Sequence, residues 1–144
     1  MTSCYLDTSF LIKLYVFEDH SKEAARLIKV SRVGWVTNRL SDLEVASALR
    51  RKSMDGFLTA SEAQMAIGKY RGHQTAGLYQ QKSVNEAVFL LAEALIERHG
   101  DFIRLRSLDL LHVATALHYG IDGFATFDAD LKVLAERAGL ELLC

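Results

Sequence analysis

Proline is absent from the 144 residues, and cysteine occurs only at Cys4 and Cys144. Two cysteines make no disulfide framework, and without a C-x-x-C pair they offer no zinc site of ordinary spacing. The missing proline, together with only nine glycines, excludes a Pro-rich or Gly-rich linker. No apolar run is as long as a membrane span: the most apolar stretch, Ala87 to Ile96, is interrupted by Glu93. No basic stretch leads into a long apolar one near the start, so no signal peptide is expected and the reading is of a soluble cytoplasmic protein. Positive charge is not in excess either. With 17 basic against 18 acidic residues the formal net charge is −1, whereas ordinary nucleic-acid binders draw much of their affinity from a basic surplus. What is present is a hydrophobic fraction of 50%. That excludes intrinsic disorder and suits one domain over residues 1–144 with a core of its own.

Short buried strands alternate with helical stretches. Ser3–Leu6 reads as a strand ending at Asp7, and Phe10 to Phe17 as a helix broken in polarity only by Lys13. Residues 21–31 follow behind a Ser21 cap, with Ala24, Leu27 and Ile28 on one face. Gly34–Thr37 is a second strand and Asn38–Lys52 a helix closed by Gly56. Thr59-x-x-Glu62 and Ser83-x-x-Glu86 have the capping-box pattern, each opening a helix. Leu110, Val113, Ala114 and Leu117 stripe the next helix, which Gly120 ends. Phe124–Phe127 is strand-like, Leu131 to Ala138 helical up to Gly139, and Leu140–Leu143 a last short strand. Such alternation predicts an α/β domain with a mostly parallel sheet, whose sites lie beyond the carboxyl ends of the strands.

Four acids stand in apolar company. Asp7 closes the first strand, Glu44 shares a helical stripe with Leu40 and Ala48, Asp109 lies within Leu108–Leu111, and Asp128 follows Phe124–Phe127. Each has a structural explanation taken alone. Asp7 and Asp128 suit helix N-caps. Ser41-x-x-Glu44 matches a capping box, although Thr37-Asn38 is the better helix start and puts Glu44 further inside. Asp109 can bond His112 one turn on, and His112 itself reads best as a satisfied core histidine. Asp42 reads as part of a solvated face. Brought together at the strand ends, however, the four carboxylates would repel one another without divalent cations. Hard oxygen donors free of Cys or clustered His point to Mg²⁺ or Mn²⁺, which can activate water for in-line attack at phosphorus.

The same residues carry a family likeness. Asp7-Thr8-Ser9 running into Phe10-Leu11-Ile12-Lys13-Leu14-Tyr15 resembles the opening of a PIN-domain ribonuclease. The segments Leu40–Lys52, Arg104–Leu117 and Phe124–Asp128 resemble that family's second, third and fourth acidic motifs. The likeness covers nearly the whole chain in the right order and is greatest to the VapC toxins of prokaryotic toxin–antitoxin pairs. It implies a three-layer α/β/α fold around a parallel sheet of four or five strands, and metal-dependent RNA hydrolysis leaving a 5′-phosphate and a 3′-hydroxyl. It implies that Asp7 and Asp109 are the principal metal ligands, that Glu44 and Asp128 complete the site, and that Thr126 with Thr8 or Ser9 orients the carboxylates. Its implied partners are RNA, a cognate antitoxin and a second copy of the chain. One departure stands at Ala129-Asp130, where relatives often carry a basic residue before the Leu; Asp130 is thus an extra candidate ligand, with Asp128 preferred.

Other readings are a non-catalytic scaffold of this fold that binds RNA or protein, and a nuclease of this fold directed at DNA. An aspartyl phosphatase would want a second acid at position 9, which is Ser9, and a receiver domain would want paired acids and a late Lys. Lys13, Arg50, Arg51, Lys52, Arg104 and Arg106 are candidates for holding RNA phosphates, although residues 50–52 equally suit a solvated helix end. Setting the four acids aside turns the charge balance slightly basic, and two divalent ions would offset them fully. Near-neutrality therefore suits an enzyme that meets phosphate through metal, and it implies weak RNA binding without that metal.

Overall fold

A computed structural model describes residues 1–144. Strands β1 (Ser3–Leu6), β2 (Gly34–Asn38), β3 (Gln80–Lys82), β4 (Gly123–Ala125) and β5 (Glu141–Leu142) form one sheet in the order β3-β2-β1-β4-β5. Every pairing is parallel. Parallel neighbours need crossovers, and helices supply them. These are α1 (Thr8–Tyr15), α2 (Ser21–Val30), α3 (Arg39–Met54), α4 (Ala60–Thr75), α5 (Glu86–His99), α6 (Ser107–His118) and α7 (Ala129–Arg137). The expected α/β/α sandwich is what forms, with five strands.

Side-chain alternation along the central strands feeds two cores. Cys4 and Leu6 of β1, Trp35 of β2 and Ala125 of β4 pack with α1, α2, α3 and α4. Tyr5, Val36 and Phe124 point to the other face, against α5, α6 and α7. The register sets Cys4 beside Trp35, Tyr5 beside Val36 and Phe124, and Leu6 beside Ala125, so like-facing residues are neighbours. Because both faces are covered, β1 is buried almost throughout, which is why it reads as a continuous apolar run.

The chain moves outward from β1 to β2 and β3, then returns to place β4 on β1's other side. The strand order therefore reverses between β1 and β4, and a crevice opens beyond their carboxyl ends. Asp7 follows β1 directly, and Thr126 follows β4.

Local chemistry sets the neighbouring elements. Asn38 caps α3, its Oδ1 accepting from Ser41 N at 3.1 Å, while its amide donates to Thr115 Oγ1 at 3.0 Å. This fully buried residue thus ties α3 to α6 at the crevice. Asn38→Ala removes a cap and leaves Thr115 without that partner, so a loss of about 2–3 kcal/mol is expected in denaturant unfolding. Gly120, at φ +68°, ends α6 in the left-handed region and turns the chain toward β4.

Some elements differ from the sequence reading. α1 begins at Thr8 rather than Phe10, because Asp7 caps it, and it stops at Tyr15, leaving Phe17 exposed. β4 ends at Ala125, beyond which Thr126 bonds the Asp7 carboxylate and Phe127 stacks on Phe10. Thr59 and Glu62 form the expected box, but α5 is capped by Asn85, whose Oδ1 accepts from Val88 N at 3.1 Å. Ser83 instead hydrogen-bonds the Tyr119 hydroxyl at 2.9 Å. The polar edge strand β3 carries no hydrophobic pattern and was not expected.

Candidate active site

A cleft of ≈ 740 Å³ lies at the crevice, and Asp7, Glu44, Asp109 and Asp128 all line it. β1 delivers Asp7, β4 and the start of α7 deliver Asp128, and the facing helices α3 and α6 deliver Glu44 and Asp109. The capping and cleft-lining readings prove compatible at two positions. Asp7 caps α1 through Phe10 N at 2.9 Å, and Asp128 caps α7 through Leu131 N at 2.9 Å.

Asp7 is the most enclosed of the four, at 3% exposure. Its Oδ1 accepts from Ser9 Oγ at 2.8 Å, and its Oδ2 accepts from Thr126 Oγ1 at 2.6 Å. The two hydroxyls are themselves held: Phe127 N donates to Ser9 Oγ and Asp128 N to Thr126 Oγ1, each at 3.0 Å. Burial pushes the Asp7 carboxyl up to about 6, against the pull of Thr126, His112, Phe10 and Ser9 in the other direction.

Burial also raises Asp109, and the nearby Asp128 and Glu44 carboxylates add to the rise while Arg106 opposes it. Arg106 reaches across two acids, with Nε 3.4 Å from Asp109 Oδ2 and a terminal nitrogen 3.8 Å from Asp128 Oδ2. For Glu44, burial would raise the carboxyl, but hydrogen bonds from His112 and Thr8, with the Arg51 charge, bring it below the usual range. Thr8 Oγ1 donates to Glu44 Oε1 at 2.9 Å.

The remaining sequence candidates scatter. Asp130 sits exposed in the first turn of α7 and does not line the cleft. Of the six basic residues, Arg51 and Arg106 line it. Lys13 and Lys52 both pair with Glu18, at 3.0 and 2.6 Å. Arg50 bonds Gln64 and Arg104 lies exposed. The residue that sequence reasoning missed is His112. Its Nε2 bonds Glu44 of α3, not the Asp109 one turn away on its own helix. A histidine flanked by Leu111 and Val113 on an all-apolar helix needs partners for two ring nitrogens, and that need was the available signal.

The donor set fits a hard divalent cation. Four carboxylates face one cleft with no thiol among them, Asp7 and Asp109 are raised by burial, and Arg106 is drawn across Asp109 and Asp128. In the present arrangement no three acidic or imidazole groups close on a common point. The fit therefore rests on donor chemistry and charge.

Fold and cleft together define an α/β/α protein with four carboxylates lining a cleft at its topological switch point. The PIN-domain model matches residues 4–137, so the chain belongs to the PIN-domain family. It is similar to ribonuclease VapC46 of Mycobacterium tuberculosis, at 28% identity over 145 residues covering 99% of this chain and 98% of that one. Among solved structures, VapC20 of M. tuberculosis, described as a toxin that cleaves the sarcin–ricin loop, superposes with a TM-score of 0.73 at 19% identity, covering 90% of this chain and 93% of that one. A toxin–antitoxin complex from Klebsiella pneumoniae superposes with a TM-score of 0.62 at 16% identity, covering 88% of each chain. PIN ribonucleases are in general dependent on divalent metal.

Proposed function

We propose that the protein is a metal-dependent endoribonuclease and the toxin of a toxin–antitoxin pair, using Mg²⁺ or Mn²⁺. The observation that carries this reading is the meeting of four carboxylates from β1, α3, α6 and the β4–α7 turn in one cleft of a PIN-family chain. Asp7 and Asp109 would hold the ion, with Glu44 and Asp128 completing the site. When bound, the ion supplies charge stabilisation at the phosphate and a more acidic water.

The chain's own groups do the rest. Ser9, Thr126 and the Phe10 amide fix both oxygens of Asp7 before any substrate arrives, which is the preorganisation that such sites require. Arg51 and Arg106 stand in the cleft to meet phosphate oxygens. Attack of water forms a new P–O bond and breaks the bond to O3′, leaving a 5′-phosphate and a 3′-hydroxyl.

RNA is the proposed substrate, and a small cognate antitoxin the proposed inhibitor. A second copy of the chain is the proposed permanent partner. A groove of ≈ 620 Å³ lined by Leu40, Leu43, Val84, Phe89 and Leu111 adjoins the cleft, and Leu43 and Phe89 are exposed within it, which supports self-association. No helix is long and apolar enough to cross a membrane, and the proposed site of action is the cytoplasm.

The test is incubation with total RNA and a divalent salt, with mapping of the cut ends. Discrete cuts bearing 5′-phosphates, abolished by excess chelator and restored by Mg²⁺ or Mn²⁺, are expected. Cleavage unaffected by chelator, or cleavage of DNA in preference to RNA, overturns the reading.

A further inference from the structure

Two residues outside the set of acids form a buried path to Glu44. Tyr5, in the middle of β1, is fully enclosed and stacks on Phe124 with ring centroids 5.4 Å apart. Its hydroxyl lies 2.5 Å from His112 Nδ1. The His112 ring, 1% exposed, presents Nε2 to Glu44 Oε1. Burying a phenol and an imidazole this deeply is costly unless each polar atom is paired, and here they pair with one another and with the cleft.

The hydrogen-bond roles along this path follow from chemistry. An ionised carboxylate only accepts, so the contact at Nε2 requires a proton on Nε2. In a ring with a single proton, Nδ1 is then an acceptor, and the partner that donates to it is the Tyr5 hydroxyl. Tyr5 thereby occupies Nδ1 and fixes the ring plane that carries Nε2 to Glu44.

The consequence reaches the cleft through one oxygen. His112 Nε2 and Thr8 Oγ1 both bond Oε1 of Glu44. Both donors hold the same oxygen, which leaves the second one, Oε2, without a hydrogen bond from the protein on a residue that lines the cleft. Glu44 sits on α3, and its carboxylate is held by side chains of α1 and α6, Thr8 and His112.

We propose that Tyr5 and His112 are positioning residues: Tyr5 fixes the His112 ring through Nδ1, His112 Nε2 pins Glu44 Oε1, and Oε2 is left for the cleft. This rests on the nuclease reading for its effect on rate, but the proton arrangement exists without RNA or metal and is measured separately.

Two-bond proton–nitrogen correlation spectra of the uniformly ¹⁵N-labelled, metal-free protein read the ring directly. His112 is expected to show a protonated Nε2 and a bare Nδ1 that accepts from Tyr5, and the Tyr5→Phe protein, which keeps the ring stack on Phe124, is expected to show a displaced Nδ1 signal as that donor is lost, with Nε2 still protonated. On a defined RNA oligonucleotide with Mg²⁺, Tyr5→Phe is expected to lower kcat by roughly 10–100-fold with KM within about twofold, as for other residues that orient ligating groups. His112→Gln, whose amide nitrogen can take the place of Nε2, is expected to retain more activity than His112→Asn, whose shorter amide reaches only the Nδ1 position. Melting curves confirm that each variant is folded. A ring protonated at Nδ1 in the parent protein overturns the proposal, as does a Tyr5→Phe protein with unaltered ring signals or unaltered kcat. If the parent cleaves no RNA at all, the nuclease reading fails and the ring spectra still decide the proton arrangement.

Discussion

Asp7→Asn is expected to reduce RNA cleavage by roughly a thousandfold or more while leaving the metal-free protein at least as stable as its parent at neutral pH. The rate loss follows from removing a charge that faces the cleft. Charge stabilisation of a phosphoryl transition state by a bound ion is worth several kcal/mol, and about 4 kcal/mol corresponds to a factor near a thousand. The stability gain follows from the same burial. An asparagine Oδ1 can still accept from Phe10 N and cap α1, so the fold loses little, while the cost of holding an anion at 3% exposure disappears.

The sign with pH is definite. The Asp7 carboxyl stands at about 6 in the folded protein against an ordinary 3.8. Between those values the folded state binds the proton more strongly than the unfolded chain. The group's stabilising contribution is therefore complete below pH ~4 and is lost as pH rises through 6. Two units amount to on the order of 3 kcal/mol. Denaturant unfolding of the metal-free parent from pH 4 to 7.5 should show this decline, and the Asp7→Asn variant should lack it. Divalent salt should raise the parent's melting temperature at pH 7.5 and raise the variant's far less, because only an ion bound to the folded form shifts the equilibrium. An Asp7→Asn protein that cleaves at the parental rate, or that responds equally to the ion, contradicts the role assigned to Asp7.

The strands and the acids were legible in the sequence for one reason: a sheet covered on both faces makes its strands apolar, and a carboxylate at the end of such a strand stands out. Asp7 and Asp128 were found that way. Asp109 stood out on an apolar helix, and Asn38 correctly set the start of α3, which put Glu44 beyond the first turn. What stayed hidden depends on partners distant in the chain. Spacing proposed Asp109 as the partner of His112, three residues away, whereas the meeting of α6 and α3 at the crevice supplies Glu44, 68 residues away. Spacing also gave Ser83 a capping role that Asn85 takes, because Ser83 finds Tyr119 instead. β3 is held by backbone bonds to β2 and by no buried stripe of its own, so Gln80–Lys82 had nothing to announce it. The basic run at 50–52 divides because Glu18, from the α1–α2 connection, takes Lys52 while Arg51 faces the cleft.

Thr126→Val should produce the second large effect, and its pH dependence distinguishes it from simple damage to the fold. The Thr126 hydroxyl donates to Asp7 Oδ2 at 2.6 Å and accepts from Asp128 N at 3.0 Å, with no exposure to solvent. Valine keeps the shape and removes both bonds. One buried carboxylate loses a donor and one amide loses its acceptor, for an expected cost of about 3 kcal/mol in denaturant unfolding. Thr126 is the strongest of the groups that hold the Asp7 carboxyl down, so its loss moves that carboxyl upward from about 6 and toward neutrality, by roughly one unit for every 1.4 kcal/mol of lost interaction. A proton then competes with a cation for Asp7 at pH 7. Calorimetric titration with Mg²⁺ or Mn²⁺ should show weaker binding than the parent at pH 6.5–7 and near-parental binding at pH 8.5. Cleavage at pH 7 should fall by roughly 10–100-fold and recover in part over the same range. Thr126→Ser, which keeps the hydroxyl, should behave like the parent in both measurements. A uniform loss of binding at every pH would mean that Thr126 only shapes the turn between β4 and α7. A deficit that closes as pH rises identifies its hydroxyl as the group that keeps Asp7 ionised in the cleft.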